Sequence, residues 1–272
     1  MRNFFFGTTT EMGVFSPFHF IFFAFGAALT AIMIIFFKKC KPLTLKIIIG
    51  IFWLICVGFE IGKQINYGYP FIGGPNPTFK GIRISALPFQ FCSLPYIVWP
   101  LLIFLPKSKF KDVLNMFAAT FMLFPAIGCY FYPSSLGTRV YINHQTMIHH
   151  INMGIVGALV FTNEYKNFSF KKFLICIGMF LALAGSAIAL NVHVVTVADT
   201  AVDYWNLNPL PGYYTTLGIY RSVIDSMGYG VFLAIFLAGF IGFATLTYYG
   251  MLLVIKLYLK VKENKNSKVK EA

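Results

Sequence analysis

Cys92 and the adjacent pair His149 and His150 are the residues of this chain whose types suit nucleophilic chemistry. A thiol becomes a good nucleophile when a neighbouring base takes its proton, and imidazole is a common base for that purpose. The three residues predict acyl transfer if their segments of the chain meet. Two plainer readings remain open. A lone cysteine in an apolar helix is more often a small buried side chain, and paired histidines can serve structural hydrogen bonds.

Further polar residues in or beside apolar stretches could orient a histidine or bind a substrate. They are Gln90, Glu60, Asn191, Gln145, His144 and Asp203. Glu60 or Asn191 could act as the third member that orients the imidazole, as in a catalytic triad. Gln90 or Asn191 could donate hydrogen bonds to an oxyanion. For Glu60 the alternative is an ion pair or hydrogen bond with Lys63 or Gln64 at the end of a helix.

The elements that must position these residues are apolar segments of membrane-spanning length. Hydrophobic residues make up 58% of the chain, charged residues only 11%, and the mean hydropathy is +0.72. These values are typical of a polytopic membrane protein rather than a soluble domain. We therefore predict an all-α membrane protein with seven transmembrane helices in one domain, residues 1–260, and a basic flexible tail, residues 261–272. The predicted spans are about 17–37, 45–65, 84–105, 112–131, 143–162, 171–192 and 229–256.

The lysines and arginines indicate how the spans are oriented. Sixteen of the 22 basic residues fall in alternate loops and the C-terminal segment, and these loops are expected in the cytoplasm by the positive-inside rule. The N-terminus is then outside, the C-terminus is cytoplasmic, and the protein is a multi-pass protein of the cell membrane. Because the basic residues mark the ends of apolar stretches, the net charge of +13 does not indicate nucleic-acid binding.

This orientation places all five histidines and Glu60 in the outer half of the membrane. Polar side chains are costly in lipid, so we expect them to share a cavity that opens outward. Cys92 lies at a similar depth to the histidine pair. The five cysteines are scattered without a CxxC pair, and no cofactor, metal or disulfide framework is predicted. The alternative function is a transporter or binding protein in which the histidines and Glu60 coordinate a proton, a metal or a small solute.

Three short motifs resemble a known family. They are LPFQFC at 87–92, INHQTMIHH at 142–150, and Asn191 followed by DYWNL at 203–207. Together these resemble the bacterial YwaF-type integral membrane proteins and their animal relative, transmembrane protein 164. The resemblance implies a lipid acyltransferase-like membrane fold. Cys92 matches the family's cysteine, and His149 or His150 matches its histidine.

Two positions depart from the family pattern. Gln90 stands where bacterial members often have histidine, and Asp203 interrupts the more usual Asn-Tyr-x-x-Leu, which leaves the role of 203–207 open. The leading hypothesis is a membrane-embedded lipid acyltransferase or acyl hydrolase. It would use a Cys–His pair and act on a membrane phospholipid or another fatty acyl lipid.

Overall fold

The regular structure of the chain is helical. The computed structural model describes residues 2–69, 78–132, 136–213 and 218–271, and within these ranges the single β-type pairing is an isolated bridge between Thr8 and Arg139. The predicted all-α class is confirmed. The α-helices of the described residues are α1 (Arg2–Phe6), α2 (Pro17–Phe37), α3 (Pro42–Tyr67), α4 (Pro95–Phe104), α5 (Lys109–Thr120), α6 (Leu123–Phe131), α7 (Val140–Glu164), α8 (Phe170–Ala198), α9 (Gly218–Met227) and α10 (Tyr229–Glu271).

Five helical segments are long and apolar enough to cross a membrane. They are Pro17–Phe37, Pro42–Tyr67, Lys109–Phe131, Phe170–Ala198 and Tyr229–Tyr258. Large apolar side chains on their outer faces are exposed, as expected where a helix faces lipid rather than water; Phe36 in α2 is 74% exposed. These segments correspond to five of the seven predicted spans and indicate a membrane protein. Helix α10 continues to Glu271 and so includes most of the segment predicted as a flexible tail.

The predicted span 84–105 is not one continuous α-helix. Ile84–Ala86 and Phe91–Ser93 form short 3-10 turns, and the α-helix begins only at Pro95. Proline lacks the backbone N–H that a helix interior requires, and it disfavours the α conformation in the residue before it. Leu87, which precedes Pro88, is accordingly outside the α conformation and interrupts the segment, whereas Pro95 occupies the first position of α4, where the missing N–H is tolerated. As a result, Cys92 lies in a 3-10 turn that enters α4, and not within a regular α-helix.

Helix α7 is the central element of the bundle. It packs against α1, α2, α3, α5 and α6, and from Tyr141 to Phe161 every residue is buried except His144 and Ile148. Close approach to α3 occurs at Gly62, where the Tyr141 hydroxyl occupies the space that a Cβ atom would need. Because its neighbours surround α7, its polar side chains face protein instead of lipid. This explains why a helix with so many polar residues is compatible with a membrane bundle.

The segment after α8 folds back over the bundle and is held by two side-chain amides. Asn191 accepts a hydrogen bond from Tyr204 N at 2.7 Å and donates one to Tyr204 O at 2.9 Å. Gln90 likewise accepts from Trp205 N at 2.8 Å and donates to Asp203 O at 3.1 Å. Trp205 has a φ of +62°, which is uncommon for a bulky residue. The two amides stabilise this conformation and so fix the position of the Trp205 ring.

Candidate functional site

The residues predicted to be catalytic border one cavity of about 620 Å³, a size typical of small-molecule sites. The cavity lies between α3, the 83–96 segment, α6, α7, residues 205–206, α9 and α10. Its lining includes the polar side chains of Glu60, Lys63, Cys92, Gln145, His149 and His150. It also includes the aromatic side chains of Phe91, Phe124, Trp205, Tyr220, Phe236 and Phe240. A cavity with both kinds of lining suits a ligand that has a polar and an apolar part.

His149 contacts the main chain of Cys92 and the side chain of a tyrosine. Its Nε2 atom lies 2.7 Å from Cys92 O. A carbonyl oxygen can only accept a hydrogen bond, so Nε2 carries the proton. Its Nδ1 atom lies 3.3 Å from the hydroxyl of Tyr96. The 84–105 segment therefore meets α7, a contact that the sequence allowed but did not require, and Cys92 takes part in it through its backbone.

Glu60 borders the cavity, and three hydrogen-bond donors contact its carboxylate. Its Oε2 atom is 2.8 Å from Lys63 Nζ and 3.1 Å from the Tyr96 hydroxyl, and its Oε1 atom is 2.6 Å from Gln64 Nε2. Both partners expected from helical spacing are present. The contact with Tyr96 connects Glu60 to His149, so the carboxylate reaches the histidine through a phenol and not directly.

His150 differs from His149 in which ring nitrogen carries the proton: it is Nε2 in His149 and Nδ1 in His150. Its Nδ1 atom donates to Thr146 O at 2.7 Å within α7, which leaves Nε2 of the neutral ring with a lone pair. Among the described residues no hydrogen-bond partner contacts this Nε2 atom. Since the His150 ring borders the cavity, the nitrogen is available to act as a base there.

Gln145 is the second group on α7 with unused hydrogen-bonding capacity. Only 6% of its surface is exposed, and it lines the cavity. Within the described parts of the chain its amide makes no hydrogen bond. A ligand in the cavity can therefore hydrogen-bond to this amide without displacing an existing contact.

The chain matches no protein-family model, no curated protein and no solved structure. The resemblance to the YwaF-type proteins therefore stays a prediction.

Several predicted site residues have other roles or positions. Both amide atoms of Gln90 and Asn191 are engaged by the backbone of 203–205, and Asn191 is fully buried. Asp203 accepts a hydrogen bond from Asn208 N at 2.9 Å, and burial raises the pKa of this carboxyl from 3.8 to about 6. These three residues build the loop that carries Trp205. Oxyanion binding by Gln90 or Asn191 would require giving up these contacts.

The other three histidines do not border the cavity. His144 Nδ1 donates to Val140 O at 2.9 Å, and the ring packs among phenylalanine rings of α1 and α2. His19 contacts Tyr130 O at 2.7 Å, and His193 is exposed. The expectation of one cavity for all five histidines is corrected accordingly: equal depth does not mean a common face of the bundle. The described residues contain no group of three or more His, Cys, Asp or Glu side chains that could hold a metal ion.

Tyr96 is the functional candidate that sequence reasoning missed. It lies four residues after Cys92 in an apolar run, and tyrosine is common near membrane interfaces without any role in chemistry. Its importance follows from its two contacts, with Glu60 on α3 and His149 on α7, which no local pattern reveals.

Proposed function

We propose that this protein is a membrane-embedded enzyme that transfers or hydrolyses a fatty acyl group of a membrane lipid, with Cys92 as the nucleophile. One observation carries the proposal: Cys92 and the unpaired Nε2 of His150 border the same cavity, whose lining is partly polar and partly aromatic. Such a lining offers polar contacts for the ester region of a lipid and apolar contacts for its acyl chain. The YwaF-type resemblance points to the same chemistry.

The proposed reaction has two steps that share one base. His150 Nε2 takes the proton from Cys92 Sγ, and the sulfur attacks the ester carbonyl. A C–S bond forms, the ester C–O bond breaks, and His150 returns the proton to the leaving oxygen. In the second step His150 deprotonates an acceptor hydroxyl or water, whose oxygen attacks the thioester; a C–O bond forms, the C–S bond breaks, and His150 gives its proton to the thiolate. The enzyme then returns to its starting state.

Gln145 is proposed to bind the developing oxyanion. Each attack places negative charge on the carbonyl oxygen, and a preorganised donor in a site shielded from water stabilises that charge. The Gln145 amide is buried, lies one turn before His149 on α7 and lines the cavity. It replaces Gln90 and Asn191 in this role because their amides already bind backbone atoms.

Acyl exchange in lipid nanodiscs tests the proposal. The wild-type protein is incubated with a phospholipid that carries an isotope-labelled acyl chain, and exchange is followed by lipid mass spectrometry. We expect Cys92→Ala to lose exchange and an acyl group to be found on Cys92 of the wild type as a hydroxylamine-sensitive thioester. Cys129→Ala is the matched control, because Cys129 also borders the cavity. Equal exchange by the wild type and Cys92→Ala would refute the proposed role of this thiol.

The finer membrane topology belongs to the same proposal. We propose that α7 and the 84–105 segment also cross the membrane, which gives seven spans with the N-terminus outside and the C-terminus in the cytoplasm. The burial of α7 among its neighbours and the alternation of basic loops support this arrangement. Reporter fusions at the loop after α7 and at the C-terminus should both be cytoplasmic. Activity of a C-terminal reporter that works only outside the cell would contradict the proposed topology.

A second candidate function is proton or solute transport, which the Glu60–Lys63 pair favours. Both side chains border the cavity, and ionisable residues within membrane helices often mark a transport path. Proteoliposome flux measurements distinguish the two functions. A flux lost in Glu60→Gln and retained in Cys92→Ala, without acyl exchange by the wild type, would favour transport.

A further inference from the structure

The Tyr96 hydroxyl lies near three hydrogen-bond acceptors but has only one proton to donate. It lies 3.1 Å from Glu60 Oε2, 3.3 Å from His149 Nδ1 and 3.4 Å from Cys56 O. A phenol has one proton to donate and can accept through its oxygen. Only one of these contacts can therefore be a hydrogen bond donated by Tyr96 at any time.

Two arrangements of this proton satisfy the contacts of His149. In the first, Tyr96 donates to Nδ1 and the imidazole is neutral. In the second, the ring has taken up one proton from the cavity and is an imidazolium; Tyr96 donates to Glu60, and its oxygen accepts from the protonated Nδ1. The bond from Nε2 to Cys92 O is the same in both. Glu60 is stabilised in either case by Lys63 and Gln64.

We propose that Tyr96 is a positioning residue that shares its hydroxyl proton between Glu60 and His149, which holds the imidazole against the Cys92 main chain in both protonation states. His149 then anchors the turn that carries the nucleophile, while His150 exchanges protons with the substrate. The inference rests on the proposed function only in treating Cys92 as the nucleophile. The ionisable groups facing this network are Glu60, Lys63 and Cys56 from α3, Cys92 from its 3-10 turn, and His150 from α7.

Nitrogen-15 NMR of histidine-labelled protein in nanodiscs tests this role without requiring turnover. The signals of His149 are assigned by their absence in His149→Gln. In Tyr96→Phe we expect the Nδ1 signal to move toward that of a nitrogen without a hydrogen bond, while the Nε2 signal stays in place. Tyr132→Phe removes a hydroxyl elsewhere in the cavity lining and should leave both signals unchanged. The signals of the other four histidines report whether each variant is folded.

Glu60→Gln provides an independent test in case Tyr96→Phe does not fold. Without the carboxylate, Tyr96 is expected to keep donating its proton to His149 Nδ1, so Nδ1 should give the signal of an acceptor over the whole pH range measured. An Nδ1 signal that is the same in the wild type, Tyr96→Phe and Glu60→Gln would overturn the inference. Failure of the wild type to exchange acyl groups, with the expected NMR shifts present, would overturn only the proposed function.

Discussion

The Nε2 atom of His149 lies 2.7 Å from the main-chain oxygen of Cys92, so these two residues are joined through the backbone of the cysteine and not through its thiol. This contact is the reason for proposing His150, and not His149, as the base. A ring that donates from Nε2 to a carbonyl has no lone pair there for a thiol proton. His150, whose Nδ1 binds Thr146 O, keeps its Nε2 lone pair for that purpose.

The two histidines should therefore differ in their effect on acyl exchange. His150→Gln is expected to lower the turnover rate by about 10²–10⁴, the range for loss of a general base. In His149→Gln the new amide can still donate to Cys92 O, so the loss should be smaller, about tenfold, corresponding to roughly one weakened hydrogen bond. Initial rates of labelled acyl exchange measure both. A larger loss in His149→Gln than in His150→Gln would reverse the assignment.

Gln145 should matter for rate more than for folding. Gln145→Met keeps the size of the side chain and removes the amide, and the expected fall in turnover is about 10²–10³, as for other oxyanion donors. Because the amide has no partner within the described chain, thermal stability should be unchanged or slightly higher. Exchange rates and melting curves in detergent measure the two effects. A stability loss without a rate loss would show that the residue is structural.

Asn191, in contrast, should matter for stability more than for rate. Asn191→Ala removes two hydrogen bonds and leaves Tyr204 N without a partner in a buried site, whereas Tyr204 O keeps its contact with Leu207 N. We expect the free energy of unfolding to fall by about 1–3 kcal/mol, from the penalty of the one unsatisfied backbone N–H. Ser186→Ala, at an exposed position of the same helix, is the control and should be neutral. Equal denaturation midpoints for the two variants would show that the hydrogen bonds between Asn191 and Tyr204 do not stabilise the fold.

Asp203 should make stability depend on pH. Burial raises the pKa of its carboxyl in the folded protein to about 6, above the ordinary value of 3.8. Between these two pH values the folded state binds more protons than the unfolded state, so stability decreases as pH rises from about 4 to about 6. This contribution is fully present below about pH 4 and is lost above about pH 6.

Asp203→Asn isolates that effect. The variant keeps an oxygen that can accept from Asn208 N but has no titrating group, so its unfolding free energy should lack the decrease. Asp199→Asn, at an exposed carboxyl of the same loop, serves as the control. Denaturant titrations at several pH values compare the three proteins. If the unfolding free energies of the wild type and Asp203→Asn change with pH in parallel, the buried carboxyl is not the cause of the pH dependence.

Part of this molecule follows from local properties of the sequence. Apolar length and composition predict the five apolar helices, because a segment must satisfy its own backbone hydrogen bonds to lie in lipid. The candidate residues Cys92, His149 and His150 are likewise visible as reactive types within apolar segments. The interruption of 84–105 could be expected from Pro88, which no hydropathy pattern takes into account.

Other features depend on contacts between distant segments. Depth along a helix can be read from sequence, but the direction in which a side chain points is set by helix packing. Hence His144 faces α1 and α2, whereas His149 faces the cavity, although both lie on α7. The sequence by itself determined which residues could do chemistry and that they lie in apolar segments. Only the tertiary structure decided that Cys92 meets His149 through its carbonyl and that Tyr96 joins Glu60 to His149, because those contacts join residues 36 to 57 positions apart.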